Sequence, residues 1–123
     1  MNETILQQQI VIWFNNQYCR KCDLSHENRY VVLSIPNESI NAIETKRKLN
    51  TGLLVGASDL VLLFPNEKTV FCEIKYGKNT QSQSQKDFQA RVQALGFEYW
   101  LIYSLDQFKD AVQSYIHRLE SVA

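Results

Sequence analysis

Cysteine is scarce in this chain, as are glycine, proline and any excess of charge. Three cysteines among 123 residues are an odd, small set. They suit a reducing compartment better than a disulfide scaffold. Four glycines and two prolines are spread too thinly for a linker or a low-complexity tract, and no internal repeat is visible. No apolar run approaches the roughly 20 residues of a membrane span, so a membrane is not expected as a partner. The opening Met1-Asn2-Glu3-Thr4 lacks the basic and apolar regions of a secretory signal, and the expectation is a cytoplasmic protein. Thirteen basic residues balance thirteen acidic ones. That balance excludes a nonspecific polycation and leaves any nucleic-acid affinity to local patches. What is present is 45% hydrophobic residues, enough for a core, in a length that fits a single domain over 1–123.

The most informative stretch is Gly56-Ala57-Ser58-Asp59, followed by Glu73-Ile74-Lys75. Asp59 opens the apolar run Leu60–Phe64, Pro65–Lys68 reads as a turn, and Thr69–Cys72 leads back to Glu73. Two β-rich runs around turn-type residues predict a hairpin. Strand residues alternate faces, so Glu73 and Lys75 share one. A register setting Asp59 opposite position 73 or 75 gathers two carboxylates and an ammonium. A slip of one residue sends Asp59 to the other face. Paired carboxylates repel, and a hard divalent cation relieves that repulsion while keeping positions for phosphate oxygens. A lysine beside such a cation offsets charge developing on a phosphate or an attacking water. The competing reading is a surface hairpin with a weak Glu73–Lys75 ion pair.

The rest of the chain fills in around this hairpin. Apolar residues Ile5, Ile10, Trp13 and Phe14 at helical spacing predict a helix over 3–18, capped by Asn2, with Glu3 in its first turn. Glu3 is either a favourable charge at the helix start or a third acidic group facing the metal. Cys19, Cys22 and His26 have the spacing of part of a zinc site. A lone Cys-x-x-Cys is read instead as two ordinary thiols and a loop histidine. His117 reads as a surface or packing histidine. A strand is predicted over 29–35 and a short helix over 38–49. Lys46, Arg47 and Lys48 on that helix are a solvated face individually and a candidate phosphate-binding patch together. Ser84 with Asp87 predicts a capping box for a helix that buries Phe88, Val92 and Leu95 and stops at Gly96. Gln85, in its first turn, is placed to reach back toward the hairpin site, where the helix N-terminus also favours a phosphate oxygen. Lys78 and Lys86 add positive charge nearby. A strand over 97–103 and a helix over 104–121, capped by Ser104 with Gln107, complete the chain. The expected architecture is α/β: a mixed sheet flanked by helices, with a strand–helix–strand crossover.

Taken in order, these pieces resemble the virus-type replication-repair nuclease (VRR-NUC) domain of the PD-(D/E)xK nuclease superfamily. Glu3 with Ile5 and Trp13-Phe14 is similar to its opening helix, and Ile35-Pro36-Asn37-Glu38 to its strand-end motif. Gly56-Ala57-Ser58-Asp59-Leu60 resembles Gly-x-Pro-Asp-Leu, Glu73-Ile74-Lys75 resembles Glu-x-Lys, and Ser82 to Gln85 resembles Ser-x-x-Gln. Ser58 departs from the usual proline but removes no ligand. The resemblance implies a restriction-endonuclease-like core and Mg²⁺- or Mn²⁺-dependent hydrolysis of DNA. Asp59, Glu73 and the Ile74 carbonyl would bind metal, Lys75 would assist the water or phosphate, Gln85 would orient the site, and Glu3 would complete the acidic set. It further implies a homodimer acting on branched, Holliday-junction-like DNA in a repair setting, in a bacterial or phage-infected cell. The alternative is a noncatalytic DNA-binding or assembly module on the same fold.

Overall fold

The computed structural model describes residues 1–19, 30–36, 49–52 and 54–121. Asn2 starts the first helix, α1 (Glu3–Tyr18), its side chain accepting the Ile5 N–H at 2.9 Å. The buried stripe runs Leu6, Ile10, Phe14. These lie four residues apart and stack on one face. Ile5, expected on that stripe, is 41% exposed, because the stripe is phased one residue later.

Strand β1 (Val31–Ser34) pairs antiparallel with β2 (Leu60–Phe64), which pairs antiparallel with β3 (Lys68–Ile74). The β2–β3 turn is Pro65-Asn66-Glu67, with φ of 64° at both Asn66 and Glu67. Two consecutive positive φ values suit the right-handed twist of a hairpin. Lys68, read from the sequence as turn, pairs with Phe64 and is the first residue of β3. Helix α2 (Gln83–Ala94) then leads to β4 (Glu98–Ile102), which lies parallel to β3. Helix α3 (Leu105–Ser121) follows, and Ser104 Oγ accepts the Gln107 N–H at 3.0 Å. The sheet order is β1-β2-β3-β4, antiparallel except for the last pair, so the fold is α/β with a mixed sheet.

The two sheet faces bury different helices. Leu60, Leu62, Phe64, Val70, Cys72, Ile74, Trp100 and Ile102 form the core with Leu6, Ile10 and Phe14 of α1 and Phe108, Val112 and Tyr115 of α3. The opposite face places Phe71, Tyr99 and Leu101 against Phe88 and Val92 of α2. Odd-numbered residues of β3 therefore face α2, and Glu73 is among them. Helix α2 is capped by Ser82 rather than by Ser84, and Gln85 rather than Asp87 completes the capping box. Leu95, expected in the buried stripe, is 74% exposed, because the helix has ended and Gly96 turns the chain at φ 94°. The short helix expected over 38–49 falls almost wholly outside the described residues.

Candidate metal-binding site

The hairpin register decides where the acidic residues go. Leu60 pairs with Cys72, and continuing that ladder by one residue sets Asp59 opposite Glu73 on the α2 face. Asp59 is held on two sides. Its carbonyl accepts the Ile35 N–H at 2.9 Å, and its Oδ2 accepts the Ile74 N–H at 2.7 Å. The side chain is thus anchored across the strand end while remaining partly exposed. Ser58 is fully buried, and its hydroxyl donates to the Leu60 carbonyl at 3.2 Å. That bond steadies the entry into β2 without a proline ring.

Gly56 explains why the loop before Asp59 needs a glycine. Its φ is 88°, and a Cβ there would lie 2.3 Å from the Ser84 carbonyl oxygen on α2. The loop carrying the aspartate and the start of α2 touch backbone to backbone. Gly56→Ala should therefore cost about 2–4 kcal/mol from strain and overpacking. Urea denaturation checks this as a lower midpoint at unchanged slope; an unchanged midpoint would show that loop and helix can separate at no cost.

Glu73 is fully buried. Among the described residues neither of its carboxylate oxygens has a hydrogen-bond partner. Burial, then the charge of Asp59, pushes its carboxyl up to about 7 from an ordinary 4.5, against the opposing pull of Lys75 and of the nearby Gln81 and Tyr99 side chains. Lys75 is 9% exposed and continues along β4, its N–H donating to the Ile102 carbonyl at 2.9 Å. The structure thus brings together Asp59, Glu73 and Lys75. A buried carboxylate next to a second carboxylate, with no donor at full hydrogen-bond geometry among the described residues, fits a hard cation.

The other sequence-predicted residues are distributed differently. The Glu3 side chain accepts a hydrogen bond from Asn79 Nδ2 at 2.6 Å, tying α1 to the loop after Lys75. Among the described residues no group of three or more His, Cys, Asp and Glu side chains is placed to hold a metal. Gln85 Oε1 accepts the Ser82 N–H at 2.8 Å, which commits its carbonyl end to the cap of α2. Lys78 and Lys86 are exposed, in the loop after Lys75 and in the first turn of α2. Lys46, Arg47 and Lys48 lie outside the described residues, as do Cys22 and His26 of the zinc alternative; Cys19 packs against the core. Two residues near Glu73, Gln81 and Tyr99, are not marked by any sequence motif. Gln81 Nε2 donates to the Tyr99 hydroxyl at 3.2 Å. Parallel pairing of β4 with β3 brings Tyr99 there, and no local pattern announces it.

Among the described residues, no helix is long and apolar enough to cross a membrane. No protein-family model matches the chain. No curated protein matches it either. Its likeness to known proteins is one of shape. It is similar to a solved structure described as "VRR_NUC domain protein", with a TM-score of 0.72 and 18% identity, over 95% of this chain and 89% of that one. It is also similar to a structure described as "VRR_NUC domain", with a TM-score of 0.58 and 16% identity, over 92% of this chain and 96% of that one. The mixed four-stranded sheet with helices on both faces is the fold that this chain shares with those two structures.

Proposed function

We propose that this protein is a metal-dependent nuclease that hydrolyses phosphodiester bonds of DNA. The observation that carries the reading is the pair Asp59–Glu73, whose buried glutamate oxygens lack partners, with Lys75 beside them. Asp59, Glu73 and the Ile74 carbonyl would hold Mg²⁺ or Mn²⁺, which when bound supplies positive charge to the scissile phosphate and acidifies water. The remaining work falls to the chain itself. Asp59, fixed by the Ile74 N–H, is the partly exposed member, and a phosphate would approach from its side. Lys75 directs its ammonium to the phosphate or the attacking water, where negative charge builds up in the transition state. Low exposure strengthens that interaction by excluding solvent. Gln85 keeps the start of α2 in place, and the N-terminus of that helix offers partial positive charge to a phosphate oxygen. Lys78 and Lys86, with Lys46, Arg47 and Lys48, give the phosphate backbone further contacts.

The proposed substrate is branched DNA, and the proposed assembly is a homodimer. Two sites related by a two-fold axis suit symmetric incision of a four-way junction. The test is incubation of the purified protein with four-way-junction, flap and linear DNA in Mg²⁺ or Mn²⁺. Cutting of the junction is expected. Binding without cutting of any substrate, where a control enzyme cuts, would replace the enzyme with a DNA-binding module. Lys75→Ala should lower the cleavage rate by about 10²–10³-fold, the scale of losing one transition-state donor. It should leave Mn²⁺ affinity nearly unchanged by calorimetry. Full activity in that variant would take Lys75 out of the mechanism.

A further inference from the structure

Glu73 has a neighbour whose hydrogen bonding is only half accounted for. In the β3–β4 ladder Phe71 pairs with Tyr99, which puts Tyr99 on the α2 face, close to Glu73. Tyr99 is 8% exposed, and its ring lies against Phe88. Its hydroxyl oxygen accepts from Gln81 Nε2 at 3.2 Å, and the same nitrogen donates to Gln89 Oε1 at 3.0 Å. Gln89 in turn sits on α2. A tyrosine hydroxyl both accepts and donates. Gln81 takes its accepting side, so its own proton is left to find an acceptor in a buried place. The Glu73 carboxylate is near enough for the Tyr99 hydroxyl to draw its pKa down, and among the described residues neither of its oxygens has a donor at full hydrogen-bond geometry. A phenol ordinarily keeps its proton near neutral pH and can donate it.

We propose that Tyr99 is a positioning residue for the site: Gln81 holds the phenol, and the phenol donates its proton to Glu73, fixing which carboxylate oxygen turns toward Asp59. The consequence for metal binding rests on the function proposed above; the hydrogen bond itself does not. Donors of this kind orient a ligating carboxylate, and their loss typically costs about 10–100-fold in metal affinity. In chain order the device joins the β3–α2 loop, β4 and α2, so it also links the site to the helix whose first turn touches Gly56.

Two measurements on the full chain test it. In the metal-free protein, NMR should show a slowly exchanging Tyr99 hydroxyl proton whose resonance moves on Glu73→Gln. Calorimetry should then show Mn²⁺ affinity reduced about 10–100-fold by Tyr99→Phe and less by Gln81→Leu, with the double variant no weaker than Tyr99→Phe alone. Gln81→Leu leaves the phenol in place and carries the test if Tyr99→Phe does not fold. A hydroxyl signal that is absent, or unmoved by Glu73→Gln, overturns the proposal whether or not metal binds. Unchanged Mn²⁺ affinity in Tyr99→Phe overturns it as well. If the wild-type chain takes up no Mn²⁺ while the hydroxyl signal still moves, the metal reading falls and the Tyr99–Glu73 bond stands.

Discussion

Replacing Glu73 by glutamine should sharply weaken divalent-cation binding and, in the metal-free protein, gain stability relative to wild type as the pH rises. The two effects have one cause. The carboxyl is buried beside Asp59 and is pushed up to about 7 from 4.5. Between those values the native chain keeps a proton that the unfolded chain has released. The stability that this group contributes is therefore fully present below about 4.5 and is lost as the pH rises toward and through about 7. The loss amounts to about 3 kcal/mol, since a tenfold change in proton affinity is worth about 1.4 kcal/mol. An amide does not ionise, so the glutamine variant escapes this loss. Denaturant titrations at pH 4.5 and 8 should show the difference between variant and wild type moving by about 3 kcal/mol in favour of the variant. Saturating Mg²⁺ or Mn²⁺ should restore wild-type stability at the higher pH, because a ligand that binds only the native state stabilises it. Mn²⁺ affinity should fall in the variant by more than the roughly 100-fold that loss of an outer-shell partner costs. A pH-independent difference would mean that Glu73 is ionised and well solvated in the native protein.

The second large effect concerns the other face of the sheet. Phe14→Ala should lower stability by about 3–5 kcal/mol, the range for deleting a fully buried ring. Phe14 has no exposed surface and stands at the centre of a ring cluster, with centroids 5.3 Å from Tyr18, 6.0 Å from Phe64 and 6.1 Å from Phe108. It therefore joins α1, β2 and α3 at a single point. The edge-to-face pairs with Phe64 and Phe108 add about 0.5–1.5 kcal/mol each beyond buried area. Thermal and urea unfolding would reveal the loss, and a change below about 1 kcal/mol would show that the cluster closes up around the gap. Because Phe14 and Glu73 lie on opposite faces, Phe14→Ala combined with Glu73→Gln should be nearly additive.

The site is legible in the sequence where the physics is local. Turn residues at 65–67 between two β-rich runs, with Asp59 just ahead of one run and Glu73 ending the other, fix a register within a single hairpin. The strand–helix–strand order and the stop at Gly96 are legible for the same reason. Long-range and degenerate features are not. Ser82-Gln83-Ser84-Gln85-Lys86-Asp87 offers two serines, each with an acceptor three residues on, and only packing selects Ser82. Gly56 is required by Ser84, far along the chain, through a close approach that no local pattern encodes. Tyr99 reaches Glu73 through parallel pairing, which brings distant residues together without a turn to announce it. Glu3 keeps its helix-start role and adds a tie to Asn79, a loop residue whose position depends on the folded hairpin.

One experiment goes to the root of this: anomalous diffraction from crystals of the protein soaked in Mn²⁺. A peak within bonding distance of both Asp59 and Glu73, reduced or lost in crystals of Glu73→Gln, is the expected result. Saturated crystals with no manganese between those two carboxylates would contradict it.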